Sequence, residues 1–143
     1  MVKDIVKRTA GCLVSGLLCT MLCACGQASH KSEVKETNVQ MTYEQITQDQ
    51  AKTLMAESEN YIILDVRTEA EYAEGHIPGA ICVPNETIGE EMPKEIPDKE
   101  QLILVYCRSG NRSKQASEKL AKLGCTNVKE FGGINTWTGD VEK

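Results

Sequence analysis

The chain of 143 residues has few aromatic and histidine side chains. Aromatic residues make up 4% of it, so the core of a folded domain must be mainly aliphatic. The two histidines, His30 and His76, are far apart in the sequence and do not match the spacing of metal ligands. We therefore expect neither a metal site nor a cofactor.

The sequence also lacks an excess of positive charge. It has 16 basic and 21 acidic residues, which give a formal net charge of −5. Attraction to nucleic-acid phosphates depends on positive charge, so a nucleic-acid partner is not expected. The length, with 41% hydrophobic residues, is that of one folded domain and excludes a two-domain enzyme or a disordered polymer.

The charge-free run near the N-terminus is too short to cross a bilayer comfortably. It covers the 14 residues 9–22 and follows a basic segment with Lys3, Lys7 and Arg8. This arrangement is typical of a secretory signal peptide, and an uncleaved membrane helix is the alternative. Four of the seven cysteines lie within the first 25 residues and the total is odd, so no disulfide framework is predicted.

The run ends in Leu22-Cys23-Ala24-Cys25, which resembles the lipobox of bacterial lipoproteins. The resemblance implies cleavage after residues 1–24 and a diacylglyceryl group on Cys25, which would anchor the protein at the extracytoplasmic face of a membrane. Acyl chains contribute about 0.8 kcal/mol per buried CH₂, so two or more hold stably. The remaining chain has a net charge of −7, because three basic residues and one acidic residue leave, so attachment depends on the lipid.

The polar segment that follows Cys25 is predicted to be a flexible tether over residues 25–40. A folded domain is expected over residues 41–143. Two capping boxes, in which a Thr is followed three residues later by Gln or Glu, predict helices over 48–57 and 69–74. Short apolar runs predict strands at 61–64, 81–83, 102–106 and 127–131, and a final helical piece carries Trp137. This alternation predicts an α/β domain with a mainly parallel sheet.

Cys107 lies between the most apolar predicted strand and the N-terminus of a predicted amphipathic helix. Open α/β sheets bind ligands at this edge. Backbone N–H groups, the helix dipole and the cations Arg108 and Arg112 all favour the thiolate, so we predict a lowered pKa and a nucleophilic sulfur beside an anion-binding loop. The alternative is a structural core thiol.

The sequence resembles the single-domain form of the rhodanese sulfurtransferase family over roughly residues 41 to 140. The resemblance implies a central five-stranded, mainly parallel sheet flanked by helices, with Cys107 as the active cysteine and thiosulfate or a related sulfane-sulfur compound as donor. It rests on four separated motifs in the family's order: Asp65-Val66-Arg67; Glu71-Tyr72 followed by Gly75-His76-Ile77-Pro78-Gly79-Ala80; the loop from Cys107 to Ser113; and Phe131-Gly132-Gly133 with Trp137.

The loop after Cys107 is assigned to substrate binding. We expect Arg108 to meet the anionic donor and Arg112 to organise the loop by bonding its own carbonyls or a nearby carboxylate. Related phosphatases and arsenate reductases use a loop one residue longer, so the length from Cys107 to Arg112 favours sulfur transfer over phosphate chemistry. The predicted substrate-binding residues are Arg108, Ser109, Gly110, Asn111, Arg112 and Ser113.

Four other polar residues are predicted to support the site. Asp65 and Arg67 at a strand end are expected to form a buried pair or to cap a turn. His76 is expected to be a structural histidine, with Glu71 as a plausible partner. The cysteines Cys82 and Cys125 favour buried packing, with a resolving thiol for Cys107 as the alternative.

The expected reaction is a two-step sulfur transfer through a Cys107 persulfide. Its partners are a small anionic sulfur donor and a thiophilic acceptor, which is cyanide, a thiol or a redox protein. A rhodanese-like sulfur-carrier or protein-docking module without turnover is the alternative. We expect a monomer.

Overall fold

Five parallel strands form the sheet of residues 42–143, the part of the chain that the computed structural model describes. The strand order is β1-β5-β4-β2-β3, so β4 lies at the centre. No helix in this range is long and apolar enough to span a membrane. The strands are β1 (Glu44–Gln45), β2 (Tyr61–Asp65), β3 (Ala80–Cys82), β4 (Leu102–Cys107) and β5 (Val128–Gly133), and the helices are α1 (Gln48–Glu57), α2 (Glu69–Glu74) and α3 (Asn111–Lys122).

The predicted segments 1–24 and 25–40, with Cys25, lie outside the described residues. Their assignment as signal peptide, lipidation site and tether stays a prediction. The folded domain predicted from residue 41 onward contains all the elements described here.

Both predicted capping boxes are present in the structure. The Thr47 hydroxyl accepts a hydrogen bond from the backbone N–H of Gln50, and the Thr68 hydroxyl accepts one from the backbone N–H of Glu71. In return, the backbone N–H of each Thr donates to the side chain of Gln50 or Glu71. Each box satisfies donors that the first helical turn leaves free, so α1 and α2 begin at the predicted residues. The helices also end where the sequence indicated.

Other element bounds differ from the prediction. β5 continues through the two glycines, and β3 begins one residue earlier and ends at Cys82. The terminal helical piece is a 3-10 turn over Ile134–Thr136, and Trp137 follows it in an extended conformation instead of lying within it. β1 was not predicted, because its two residues are exposed and show no apolar pattern.

The sheet has a packed core on each face. On one face, Ile103 and Val105 of β4 pack with Ala116 and Leu120 of α3. On the other face, Leu104 packs in a second cluster with residues of α1 and α2. Every residue of β4 is buried, as expected for the central strand of a parallel sheet. The end of β4 is therefore fixed from both sides, and this is where Cys107 lies.

Candidate active site

Cys107 is the last residue of β4, at the carboxyl edge of the sheet. It pairs in register with Gly133 of β5 after a shift in the ladder beyond Val105. The residue is 1% exposed, so its sulfur is almost entirely shielded from solvent. The fold thus presents one thiol where parallel α/β sheets bind ligands.

The loop from Cys107 to Ser113 folds back over the sulfur. Gly110 has a φ of 102°, a left-handed conformation that glycine adopts without the usual side-chain clash. In this conformation its backbone N–H donates to Cys107 Sγ across 3.1 Å, and α3 begins at the next residue. The helix N-terminus and the loop amide therefore both face the sulfur.

The surroundings of Cys107 act on its pKa in opposite directions. Burial raises the pKa, whereas the Ser113 hydroxyl and the backbone N–H groups of Ser113, Ser109 and Gly110 lower it. The net pKa lies below that of an ordinary thiol, since the donors outweigh the loss of solvation. The loop therefore favours a thiolate, which is the nucleophilic form of cysteine.

Arg112 bonds a carboxylate on a neighbouring helix. Its Nη1 and Nη2 atoms donate to the two carboxyl oxygens of Glu71 at 2.7 and 2.8 Å. This bond from Arg112, reinforced by Thr68, holds the pKa of Glu71 at about 2 despite partial burial. The pair connects the first turn of α2 to the start of α3, next to the loop.

Arg108 and Ser109 are exposed, in contrast to Arg112. The backbone carbonyl of Arg108 accepts a hydrogen bond from Asn135 N–H at 3.2 Å. This hydrogen bond holds the backbone of Arg108, while the residue is exposed to solvent. Asn111 is exposed as well, at the first position of α3, whereas Ser113 is buried.

Asp65 and Arg67 form a buried ion pair at the carboxyl end of β2. Arg67 Nε lies 2.9 Å from Asp65 Oδ1 and its Nη2 lies 2.6 Å from Oδ2. The hydroxyl of Tyr106 also donates to Asp65, and Arg67 donates to the carbonyl of Gly75 at 2.7 Å. This network connects β4, β2 and the end of α2, so these residues support the site structurally.

The proposed partnership of His76 with Glu71 is wrong. Glu71 lies in the first turn of α2 and is engaged by Arg112, whereas His76 follows the other end of that helix. The His76 ring stacks on Tyr72 with centroids 3.7 Å apart, and its Nδ1 is 3.1 Å from the carbonyl oxygen of the same residue. Its Nε2 lies 3.6 Å from a carboxyl oxygen of Glu142.

Cys82 and Cys125 are placed away from the loop. Strand β2 lies between Cys82 and Cys107, and Asp65 is in register with both Cys82 and Tyr106. Two strand spacings correspond to roughly 10 Å, more than the approximately 7 Å between Cα atoms that a disulfide tolerates. Burial raises the pKa of both thiols, and Cys125 Sγ packs 3.8 Å from Met92 Sδ. Both fit the packing role better than that of a resolving thiol.

Two residues on β5 contribute to the site and were not predicted. Glu130 is 3% exposed and accepts a bond from the Ser113 hydroxyl at 2.6 Å. A Cβ added to Gly133 would lie 2.6 Å from Ser109 Cα and closer still to the carbonyl of Arg108. The available signal was an acidic residue in the strand that ends in two glycines, two positions before the first of them.

A family model described as a rhodanese-like domain matches residues 47–140, two thirds of the chain. The chain belongs to the rhodanese-like domain family. The sulfurtransferase of Allochromatium vinosum is 42% identical over 84 residues, which are 58% of this chain and 77% of that protein. Thiosulfate sulfurtransferase PspE of Escherichia coli K12 is 38% identical over 71 residues, which are 50% of this chain and 68% of that protein.

Solved rhodanese structures share the fold. A structure described as rhodanese with anions from E. coli matches with a TM-score of 0.54 at 34% identity, over 58% of this chain and 98% of that one. The rhodanese fold expected from the sequence, with its five-stranded parallel sheet, is thereby confirmed. The names of the relatives support a transferase. Within residues 42–143, no group of three or more His, Cys, Asp or Glu side chains is arranged to hold a metal ion.

Proposed function

We propose that this rhodanese domain transfers sulfane sulfur from thiosulfate or a related donor to a thiophilic acceptor through a persulfide on Cys107. The observation that carries the proposal is the Cys107 sulfur at the carboxyl end of β4, with the Gly110 N–H directed at it across 3.1 Å. A thiol in this position is deprotonated without a separate base. The name of the E. coli relative, thiosulfate sulfurtransferase, supports the choice of donor.

In the first step, the Cys107 thiolate attacks the outer sulfur of thiosulfate. A new S–S bond forms to Cys107, the S–S bond of thiosulfate breaks, and sulfite leaves with the electron pair. The negative charge then lies on the outer sulfur of the persulfide, where backbone N–H groups of the loop stabilise it. The enclosed position of Cys107 favours a small donor over a bulky one.

In the second step, an acceptor such as cyanide or a thiolate attacks the outer sulfur. The persulfide S–S bond breaks, and its electron pair returns to Cys107 as the thiolate that started the cycle. Cyanide would leave as thiocyanate, and a thiol would leave as a persulfide. No external oxidant or reductant is needed, because the sulfur is passed on at the same oxidation level.

The loop length supports sulfur chemistry over phosphate chemistry. The loop is short, running from Cys107 to Arg112, and its Gly110 N–H donates to the Cys107 sulfur. Arg112 donates to the carboxylate of Glu71, so these donors are not available to an oxyanion. A phosphatase needs a wider ring of donors for a tetrahedral phosphate. Hydrolysis of para-nitrophenyl phosphate should therefore stay at background.

Thiocyanate formation from thiosulfate and cyanide tests the function. The wild-type protein should turn over, Cys107→Ser should be inactive, and Cys82→Ser on β3, two strands away from β4, should keep its activity as the matched control. Absence of turnover with thiosulfate and with other sulfane donors would favour the docking module. In that case the protein would bind a partner without forming a persulfide.

We also propose that the domain is held at the extracytoplasmic face of a bacterial membrane by a lipid on Cys25. The support is the sequence Leu22-Cys23-Ala24-Cys25 after a basic and then an apolar segment. A polar tether over 25–40 would leave the domain free to meet a small donor or a redox protein. Membrane fractionation of cells that make the wild-type protein or Cys25→Ser tests the anchor.

A further inference from the structure

The side chain of Gln48 joins the start of α1 to the end of β5. Its Nε2 atom lies 2.9 Å from the carbonyl oxygen of Gly133 and 2.9 Å from Thr136 Oγ1. An amide nitrogen carries two hydrogens, so it can donate to both oxygens at once. Gln48 is half-buried, and its two partners lie 85 and 88 positions further along the chain. The proposed sulfur-transfer steps do not use this side chain.

Gly133 and the turn after it, Ile134–Thr136, lie against the backbone of the catalytic loop. Gly133 pairs with Cys107 in the ladder of β4 and β5, and the N–H of Asn135 donates to the carbonyl of Arg108 at 3.2 Å. A Cβ added to Gly133 would lie 2.3 Å from that same carbonyl oxygen, so no free space separates the two segments. A shift of the turn therefore displaces the loop backbone directly after Cys107.

Other contacts shape this turn without fixing its direction relative to α1. The Thr136 hydroxyl donates to the Gly133 carbonyl at 3.2 Å, and the Trp137 N–H donates to the Ile134 carbonyl at 3.1 Å, both within the segment. Ile134 also packs against the core cluster on this face of the sheet. Apolar packing is non-directional, whereas a hydrogen bond constrains both distance and angle. The two bonds from Gln48 therefore set where the Gly133 carbonyl points.

We propose that Gln48 is a positioning residue for the catalytic loop. It holds the turn after β5, the turn holds the backbone after Cys107, and the loop N–H groups therefore stay directed at the sulfur. The contact that depends on this arrangement is the bond from Gly110 N–H to Cys107 Sγ at 3.1 Å, since a hydrogen bond weakens steeply once its angle is distorted. Gln48 acts through the turn and not by contact with the sulfur.

Gln48 is uncharged, so replacing it by another neutral side chain leaves the charges around Cys107 unaltered. A change in the pKa of the thiol then reports the placement of the loop N–H groups. The charged residues on the elements around Cys107 are Arg108 and Arg112 of the loop, Glu71 on α2, Glu86 near Arg112, Glu130 on β5, and the ion pair of Asp65 and Arg67 at the end of β2.

The test is the pH profile of Cys107 alkylation in the full-length protein with Gln48→Met, which keeps a side chain of similar length but removes the donor. Iodoacetamide labelling is read on the tryptic peptide of residues 100–108, whose only cysteine is Cys107. The midpoint should rise by about half a pH unit, because displaced loop N–H groups stabilise the thiolate less. Gln45→Met on β1 removes a bond to Tyr43 instead and should leave the midpoint unchanged.

Leu54→Ala separates positioning of the loop from stability of the fold. Leu54 packs against the core from α1, so its truncation should lower the free energy of unfolding in urea while the alkylation midpoint stays unchanged. An unchanged or lowered midpoint in folded Gln48→Met, or an equal rise in Leu54→Ala, would overturn the proposal. If Gln48→Met does not fold by circular dichroism, Gln48→Asn, which withdraws the amide by one methylene, replaces it with the same expected direction.

The inference rests on the proposed function only where it concerns turnover. The alkylation profile needs no sulfur donor. It can contradict the role of Gln48 while Cys107 still forms thiocyanate, and it can support that role even if thiosulfate proves not to be a donor. The failures of the two proposals are therefore distinguishable.

Discussion

Arg108 and Arg112 have different surroundings in the same loop. Arg112 donates from Nη1 and Nη2 to both carboxyl oxygens of Glu71. This bidentate bond occupies the edge of the guanidinium group that could otherwise bind an anion. Arg108 is exposed beside the nucleophile, and its backbone is held by Asn135. At the scale of the single residue, the free cation is therefore the one next to Cys107.

Replacing Arg108 by Ala should raise the KM for thiosulfate about tenfold with little change in kcat, because one charge-assisted contact to the donor is lost. Steady-state thiocyanate formation measures both constants. Lys114→Ala, an exposed cation on the first turn of α3, is the matched control and should leave KM unchanged. An unaltered KM in Arg108→Ala would show that this side chain does not meet the donor.

Gly133 is required by close packing and not by backbone conformation. Its φ is −135°, which any residue adopts, but a Cβ there would overlap the backbone of Arg108 and Ser109. Gly133→Ala should therefore displace the loop and lower kcat/KM by about 100-fold. In Gly89→Ala the added Cβ meets no atom within 4 Å, so this control should keep full activity. Normal kinetics in a folded Gly133→Ala would contradict this account.

At the scale of elements, the bond between Arg112 and Glu71 fastens α2 to α3. The folded-state pKa of Glu71 is lowered from 4.5 to about 2, so ionised Glu71 stabilises the fold above its unfolded pKa. This stability is lost as the pH falls from about 4.5 toward 2. The connection therefore weakens in acid.

Glu71→Gln should cost about 1 kcal/mol of unfolding free energy at pH 7, discounted for the partial exposure of the pair. The difference from wild type should shrink as the pH is lowered from 5 to 3. Urea unfolding at each pH measures it, with Glu74→Gln at the exposed end of α2 as the control. A difference that is the same at every pH would mean that the bond does not stabilise the fold through ionised Glu71.

The helices were predictable because their signals are local. Each capping box lies within four residues, and Thr47 and Thr68 start α1 and α2 without help from the rest of the fold. β1 was not predictable, because its two exposed residues become a strand only by pairing with Lys129 and Glu130 of β5. The cysteine loop could be found from sequence, since its residues are contiguous. Its contacts with Glu71 and Glu130 could not, because they bridge 41 and 17 positions.

At the scale of the whole molecule, residues 42–143 form the rhodanese domain, in which the pKa of Cys107 is lowered. The N-terminal region is interpreted from its sequence alone. We predict that Cys25→Ser moves the protein from the membrane to the soluble fraction of the cells that make it, because the lipid on Cys25 is the attachment that the lipobox implies. Activity per molecule should not change. Immunoblots of the two fractions measure the distribution. Membrane retention of Cys25→Ser would contradict the lipid anchor and favour the uncleaved membrane helix. Cys23→Ser, two residues away, is the matched control.

The central claim is that Cys107 carries the transferred sulfur, and the mass of its tryptic peptide tests this most directly. The protein is incubated with thiosulfate, trapped with iodoacetamide without reductant, and digested. We predict one additional sulfur atom on the peptide of residues 100–108, none on the peptides with Cys82 or Cys125, and no additional sulfur when cyanide is added before the iodoacetamide. An unmodified peptide with thiosulfate and other sulfane donors, or sulfur carried by another cysteine, would contradict the account.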